Sequence, residues 1–228
     1  MLLEIPKVLN AEQLQLVRDK LDTAGDAWVD GRATAGHQGA QVKRNLQINE
    51  HAPIAIELGD LILAELERHP LFISATLPNH VYPPMFNLYQ GGMAFGSHVD
   101  GAIRQIPGSR MKIRTDISAT LFLSEPDTYE GGELLIEDTY GVQSVKLPAG
   151  HMIVYPATSL HQVKPVSSGA RLAAFFWVQS MIRDDGQRTL LFDLDSAIQR
   201  LTQSGADSHA LVQLTGSYHN LLRMWTDI

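Results

Sequence analysis

The sequence predicts an α+β protein in which helices flank a sandwich or barrel of short β-strands. Two observations support this class. Apolar residues recur at helical spacing near both ends of the chain, whereas short β-branched and aromatic runs fill the middle, from about residue 80 to residue 180. Turn signals such as Gly91-Gly92 and Gly131-Gly132 separate these runs. Such close spacing favours a sandwich or barrel over a parallel α/β sheet.

Two helices are predicted in the N-terminal part. The first begins at Asn10, a good N-cap residue with Gln13 three positions later, and ends before Gly25. The second covers "PIAIELGDLILAELERH", with Pro53 in its first turn and Pro70 beyond its end. Between them, residues 29–47 are polar and rich in glycine, which predicts a mobile surface loop.

The central strands are predicted from seven runs, after which helix returns. The runs are "HVYPPMFNLY", "DISATLFLS", "GELLIED", "GVQSVKL", "HMIVYP", "HQVKPV" and "RLAAFFWVQS". Beyond them, "LDSAIQRLTQSG" and "ADSHALVQLTGSYHNLLRMWTDI" predict an amphipathic helical pair. We therefore expect an N-terminal helical support region at 1–77, a core at 78–180 and a C-terminal helical domain at 181–228.

Composition limits the classes of function. The 228 residues carry a net charge of -7, which argues against a general nucleic-acid binder. Cysteine is absent, so a metal here must be bound by histidine and carboxylate. The N-terminus has no pattern of a secretory signal, and no apolar run reaches the length of a membrane span. We expect a cytoplasmic protein with no membrane partner.

His98 and Asp100 form the first half of a predicted metal site. Residues i and i+2 of a strand project from the same face, so both side chains are expected to point into the barrel, opposite Val99. A further ligand must come from a strand distant in sequence. His151 and His161 are the candidates, and His161 is favoured because it follows a turn and begins a strand that leads to Arg171.

The predicted ligands leave about half of an octahedral shell open, which is the facial triad of non-haem Fe(II) oxygenases. Arg171 lies ten residues after His161 in an apolar run. A buried guanidinium is costly unless it is paired, and a carboxylate is its best partner. A dicarboxylic ligand would satisfy metal and arginine together.

These residues resemble the HxD…H…R pattern of Fe(II)- and 2-oxoglutarate-dependent dioxygenases of the prolyl-4-hydroxylase type. "NLYQGGMAFGSHVD", "DISATLFLS" and "GGELLI" are similar to the segments around that pattern. "VYPATSLHQVKPVSSGARLAAFFWVQSMIRD" resembles the bacterial PKHD-type hydroxylases, a group linked to iron uptake. The resemblance covers essentially the whole chain.

The resemblance implies a double-stranded β-helix, the jelly roll of this family. It implies that His98, Asp100 and His161 bind Fe(II), that Arg171 binds the C5 carboxylate of 2-oxoglutarate, and that Tyr89 contacts the same cosubstrate. The implied reaction uses O2, hydroxylates an unidentified small-molecule or protein substrate and releases succinate and CO2. L-ascorbate as a reductant and a role in iron homeostasis also follow from it. Some relatives carry a second tyrosine where this chain has Leu121 and Phe122.

Two other interpretations remain open at this stage. A cupin-type enzyme that uses Zn or Mn shares the jelly roll and a histidine-rich site, although Arg171 argues against it. A non-catalytic protein that binds 2-oxoglutarate or iron is the other. The apolar C-terminal helices make a homo-oligomer plausible, because a self-associating surface needs an exposed apolar face.

Overall fold

The structure, a computed structural model, describes residues 1–139 and 141–227, with only the backbone of His37. Six α-helices are present in this part of the chain: α1 (Ala11–Asp22), α2 (His37–Val42), α3 (Pro53–Leu66), α4 (Pro70–Thr76), α5 (Asp185–Gln203) and α6 (Ser208–Trp225). The first eight strands are β1 (Leu3–Ile5), β2 (Trp28–Asp30), β3 (Lys43–Arg44), β4 (Leu46–Ile48), β5 (Pro78–Val81), β6 (Met85–Gln90), β7 (Ala94–His98) and β8 (Ile103–Gln105). The remaining strands are β9 (Lys112–Arg114), β10 (Ile117–Phe122), β11 (Tyr129–Gly131), β12 (Leu134–Asp138), β13 (Gly141–Val145), β14 (Met152–Pro156), β15 (His161–Val163) and β16 (Val166–Ser180).

Two antiparallel sheets form the body of the protein. The major sheet has the order β1-β14-β10-β16-β6-β4-β2, and β5 and β11 also pair with β16. The minor sheet has the order β13-β12-β15-β7-β3, and β8 and β9 form a separate hairpin. A core of buried apolar and tyrosine side chains fills the body, including Tyr89, Phe122, Leu134 and Tyr155. This is the predicted α+β jelly roll.

Strand β16 shows how the sequence produces the two faces of the major sheet. Successive side chains of a strand point to opposite sides. One set of β16 side chains packs against the core under the N-terminal helices: Leu172, Ala174, Phe176 and Val178. The alternate residues Arg171, Phe175 and Trp177 line a cavity inside the body. The helices therefore cover the outside of the sheet and leave its inner face for the cavity.

Helices α1 and α3 confirm the two N-terminal predictions. Asn10 and Gln13 form a reciprocal capping box at the start of α1. Pro53 occupies the first turn of α3, as predicted. Pro70, which was expected only to follow a helix end, starts the further short helix α4, because proline is also well suited to a first helical turn. At the other end, α5 begins at Asp185, before the predicted run.

The prediction of a mobile surface loop at 29–47 is wrong. This segment contains α2 and parts of three strands, and β3 joins the minor sheet while β4 joins the major one. Lys43, Asn45 and Gln47 are buried in it. Polar side chains in this segment predicted exposure to solvent. They face the interior because β3 and β4 each pair with a strand of one of the two sheets. The proposed boundary at residue 77 stays a prediction, and strands from the N-terminal side of it contribute to both sheets.

No helix in the described residues is long and apolar enough to cross a membrane. Helices α5 and α6 pack together at the C-terminal end, where Leu77, Ile182 and Leu191 are buried. Around these three, Tyr218, Leu222 and other side chains of α6 are partly buried. The C-terminal pair is thus attached to the body through its own small apolar cluster.

Gly131 is required by the turn that leads into β12. Its φ is +73°, and an added Cβ would lie 2.0 Å from the carbonyl oxygen of Pro165. We expect Gly131→Ala to lower the free energy of unfolding by about 3 kcal/mol or more, since backbone strain adds to a clash with main chain. Gly91→Ala is the matched control, because Gly91 has φ +56° and open space around it. Urea unfolding would measure both, and equal losses would contradict the steric argument.

Candidate active site

His98, Asp100 and His161 come together inside the body. His98 ends β7 and is the direct cross-strand partner of His161 on β15. The imidazole Nε2 atoms of His98 and His161 lie 4.0 Å and 3.7 Å from carboxylate oxygens of Asp100. One ligand atom from each residue lies within 4.8 Å of the others. Asp100 follows the end of β7 instead of lying within the strand, yet it remains on the same side as His98.

Backbone carbonyls fix the tautomers of the two imidazoles. Nδ1 of His98 lies 2.8 Å from the carbonyl oxygen of Gly96, and Nδ1 of His161 lies 3.0 Å from that of Ser159. Because a carbonyl only accepts, both Nδ1 atoms carry a proton, and the Nε2 atoms are the ones that lie toward Asp100. Burial, together with the neighbouring His161, lowers the pKa of His98 to about 4. His98 is therefore neutral at physiological pH, the form that binds metals.

Neighbouring side chains hold these three groups in place. Ser118 Oγ donates a hydrogen bond of 2.6 Å to Asp100 Oδ2. Phe95 stacks on the His98 ring with centroids 3.5 Å apart, and Tyr155 packs edge-on against His161 at 5.2 Å. Stacking and hydrogen bonding restrict rotation of each ring and of the carboxylate. The three groups are therefore held in an arrangement that could hold a metal ion.

Arg171 is buried and lines the same cavity. Its Nε and Nη1 atoms have no hydrogen-bond partner among the described residues. The guanidinium carbon lies 5.4 Å and 5.2 Å from the ring centroids of Tyr89 and Phe122. An unpaired buried guanidinium is rare because its desolvation is costly. These free N–H groups fit the carboxylate of a bound ligand.

Gly132 lets Arg171 reach this position. Its φ is +68°, and an added Cβ would lie 3.0 Å from Arg171 Cδ and 2.8 Å from a methyl group of Val166. A side chain here would push against the arginine stem. The second glycine of the "GGELLI" turn therefore keeps the place of the guanidinium open.

The remaining expected residues are also accounted for. Tyr89 is buried and is the cross-strand partner of Arg171, and burial raises its pKa to about 12, so its hydroxyl stays protonated. Leu121 faces the helix-side core, whereas Phe122 faces inward. His151, the other histidine considered, pairs with Glu4 at 2.9 Å outside the triad. Tyr155 was not singled out from the sequence, although its in-phase position with Ile153 on an apolar strand is the signal that it faces inward.

The cavity has a volume of about 500 Å3 and is lined by Arg171, by the triad and by a further group of residues, here called the mouth, that includes the exposed Val99 and Ile103. Residues from the mispredicted segment 29–47 line the mouth, among them Thr34, Gln38 and Lys43, and Arg104 and Trp177 lie there as well. The volume is in the range of small-molecule sites. Sequence reasoning missed these mouth residues because they come from polar segments with no regular pattern.

Lys43 is an exception to the rule that buried lysines are paired with acids. Its ammonium donates to Thr34 Oγ1 at 3.1 Å, and no salt bridge to Lys43 is found among the described residues. Burial, and secondarily the charge of Arg104, lowers the pKa of Lys43 to about 8. A lysine whose folded-state pKa is lowered destabilises the folded state while it is protonated.

We therefore expect Lys43→Met to raise the free energy of unfolding at pH 7 by roughly 1–3 kcal/mol. The unfolded chain binds the extra proton between pH 8 and the ordinary lysine value of 10.5, so the wild type gains stability across that interval. The difference between wild type and Lys43→Met should shrink over the same interval. Chemical unfolding at pH 7, 8.5 and 10 would measure it, and a difference that is constant with pH would contradict the assignment.

Comparisons with known proteins agree with this geometry. A family model described as the 2OG-Fe(II) oxygenase superfamily matches residues 84–179, and one described as the PKHD-type hydroxylase C-terminal domain matches residues 185–227. A PKHD-type hydroxylase of Paraburkholderia phytofirmans is 70% identical over 227 residues, covering 100% of both chains. One from Saccharophagus degradans is 62% identical over 225 residues, covering 99% of both chains.

Solved structures support the fold. A prolyl-4-hydroxylase of Pseudomonas putida has a TM-score of 0.52 at 19% identity, over 78% of this chain and 92% of that one. HygX of Streptomyces hygroscopicus, solved with nickel, 2-oxoglutarate and hygromycin B, has a TM-score of 0.54 at 13% identity, over 78% of this chain and 82% of that one. The structural similarity shows the shared fold, whereas the high sequence identity over the full chain shows the family. The chain belongs to the PKHD-type hydroxylases, which are Fe(II)- and 2-oxoglutarate-dependent dioxygenases.

Proposed function

We propose that His98, Asp100 and His161 bind the Fe(II) of this hydroxylase and that Arg171 binds the C5 carboxylate of 2-oxoglutarate. The assignment is supported by the position of these four side chains in one cavity. The three ligand atoms within 4.8 Å of one another and the unpaired N–H groups of Arg171 line one cavity. Two imidazoles and a carboxylate suit Fe(II), and a buried guanidinium suits the far end of a dicarboxylate.

Iron and 2-oxoglutarate, when bound, supply a two-electron oxidation in which O2 hydroxylates a substrate C–H and succinate and CO2 are released. The chain's own residues position and isolate this chemistry. The carbonyls of Gly96 and Ser159 hold the imidazoles, and Ser118 orients the carboxylate. His98, Asp100 and His161 would hold the iron with three protein ligands, a set that suits a metal that also takes a cosubstrate.

Two tyrosines complete the proposed cosubstrate pocket. Tyr89 lies beside Arg171 and retains a proton that it can donate to a carboxylate. Tyr155 contacts the His161 ring, and burial holds its pKa well above the ordinary value. We assign to Tyr155 the place that a second tyrosine takes elsewhere in the family, because Leu121 faces away from the cavity.

The family resemblance also indicates a reductant, a pathway and a cellular location, which we include in the proposal. L-ascorbate would sustain turnover by reducing oxidised iron, and the pathway would be linked to iron homeostasis in the cytoplasm. Self-association through the C-terminal helices is proposed from their apolar residues in the sequence. Assays of 2-oxoglutarate turnover with and without ascorbate, and sedimentation of the purified protein, test two of these points directly.

The experiment that tests the assignment is an anaerobic titration of the apoprotein with Fe(II) and 2-oxoglutarate. Bidentate chelation of the iron produces a visible charge-transfer band, which we expect at stoichiometric ligand. Succinate should then appear on admission of O2. If no band forms while Zn or Mn binds tightly, the site belongs to another metal chemistry and the proposal fails. If the cosubstrate binds but is never oxidised in any substrate screen, the protein is a binding protein instead.

Ser118 provides a test of the support around the triad. We expect Ser118→Ala to weaken Fe(II) binding about 10-fold, because Asp100 loses the hydrogen bond that orients it. Ser167→Ala is the matched control, since Ser167 is exposed and its hydroxyl lies near Glu130. Competition with a chromophoric chelator would measure both affinities. Equal affinity in the two variants would show that Ser118 does not orient the ligand.

A further inference from the structure

Two cationic side chains line the cavity mouth beyond the proposed iron site. Lys43 comes from β3 and Arg104 from the β8–β9 hairpin. The Lys43 ammonium lies 5.1 Å from the centroid of the Phe95 ring, and the Arg104 guanidinium carbon lies 4.2 Å from that of Trp177. Aromatic faces stabilise both cations. Neither of them forms a salt bridge with any residue in the described part of the chain.

The carboxylate that affects Lys43 most strongly is that of Asp100. Asp100 is also the proposed iron ligand, so a bound dication would take up its negative charge and add positive charge of its own. Of the two carboxylates of 2-oxoglutarate, one is assigned to Arg171 and the other to the metal. The charges of Lys43 and Arg104 therefore remain uncompensated when the site is loaded. Because the whole chain carries -7, this positive region is local to the cavity.

Buried polar atoms next to the cations also lack partners. Gln47 Nε2 and Trp177 Nε1 are donors without an acceptor among the described residues, and Asn87 Oδ1 is an acceptor without a donor. All three residues line the cavity and are more than nine-tenths buried. Buried polar groups in native proteins are nearly always paired. Two free donors beside two cations favour a ligand that accepts hydrogen bonds and carries negative charge.

The rim of the mouth is apolar. Val99 and Ile103 are 53% and 59% exposed and line the same cavity. Phe175 and Trp177 form the opposite wall from β16. A cationic pocket with exposed apolar residues at its edge suits a molecule that has a charged group and an apolar or aromatic body.

We propose that the prime substrate of this enzyme is a small organic anion, whose carboxylate-type group is bound by Lys43 and Arg104 while its apolar part contacts Val99 and Ile103. This inference rests on the proposed function, since the substrate must lie beside the iron. The cavity volume of about 500 Å3, shared with cosubstrate, is consistent with a small molecule.

The test uses two probes of nearly equal shape, 3-phenylpropionate and 3-phenylpropionamide. Each is titrated by ligand-observed NMR into full-length protein loaded with Zn(II) and saturating 2-oxoglutarate, so that no oxidation occurs and the Arg171 site is occupied. We expect the wild type to bind the carboxylate about 10-fold or more tightly than the amide, because charge-assisted hydrogen bonds exceed neutral ones. In Lys43→Met and in Arg104→Met this preference should fall to about 3-fold or less.

Lys112→Met is the matched control, because Lys112 is an exposed cation on the same hairpin as Arg104 and is not among the residues that line the cavity. It should keep the wild-type preference. An amide Kd that does not change between variants shows that the pocket is still folded. The inference is overturned if the wild type shows no preference, if neither probe binds, or if the preference survives in the double variant of Lys43 and Arg104. Loss of the Fe(II) charge-transfer band from wild type would instead overturn the proposed function.

Discussion

His161→Ala should abolish the charge-transfer band of the Fe(II)–2-oxoglutarate complex and reduce succinate formation below detection. The substitution removes one of three ligand atoms, and the two that remain form an incomplete site whose Fe(II) affinity we expect to fall more than about 100-fold. The fold should tolerate the change, since His161 lies at the edge of a cavity. Anaerobic titration monitored in the visible range measures the band, and circular dichroism monitors folding.

His151→Ala is the control for this experiment. It removes the same chemical group from a strand-start position where the ring pairs with Glu4, outside the triad. The band and the turnover of this variant should match those of the wild type. A band of full intensity at stoichiometric iron in His161→Ala would show that His161 is not a ligand. Loss of the band in both variants would point to a general effect on folding.

Arg171→Met should raise the Kd for 2-oxoglutarate by about 30-fold or more. Removing one partner of a buried, hydrogen-bonded charge pair lowers the binding free energy by about 2–5 kcal/mol. The lower end of this range corresponds to about 30-fold in Kd. Methionine keeps much of the volume of the side chain, so the cavity walls should not collapse. Because the guanidinium has unpaired N–H groups in the protein without ligand, we expect the apoprotein to lose little stability. Titration of the band with 2-oxoglutarate gives the Kd directly.

Arg171→Lys separates charge from geometry. Lysine retains the positive charge but not the planar pair of donors, so its Kd should lie between those of the wild type and Arg171→Met. Iron binding alone should be unaffected in both variants, because Arg171 is not among the three residues whose ligand atoms cluster. Equal 2-oxoglutarate affinity in all three proteins would mean that the cosubstrate carboxylate is bound elsewhere.

The sequence predicts that the three proposed metal ligands lie close together, and the structure brings their ligand atoms within 4.8 Å of one another. His98 ends strand β7 and Asp100 follows two residues later on the same side, although alternation within a strand was expected to place both. An antiparallel neighbour brings His161 opposite His98. Arg171 was recognisable as a charge in an apolar run. The expected fold class followed from the same periodicities, with helices at both ends of closely spaced strands.

The mouth was not predictable from local pattern. Lys43 and Gln47 lie in a polar, glycine-rich segment that predicts solvent exposure, and they are buried only because β3 and β4 join different sheets. Arg104 meets Trp177 across more than seventy residues of chain. Phe176 packs under the helices, whereas Trp177 is buried in a separate apolar cluster that Phe175 packs against. The burial of each of these residues depends on pairing between segments that are distant in sequence. Such pairing cannot be predicted from local composition.

The long strand β16 also constrains how this enzyme can diverge. Arg171, Phe175 and Trp177 lie on one face of a single strand, and the residues between them form part of the principal core. Inserting or deleting one codon between them would exchange the two faces from that point onward. A relative that keeps the fold must therefore keep the number of residues in this part of β16, so that only substitutions are tolerated here. The turn of the β8–β9 hairpin, residues 106–111, lies outside this strand, so a change in its length would leave the two faces of β16 unaltered.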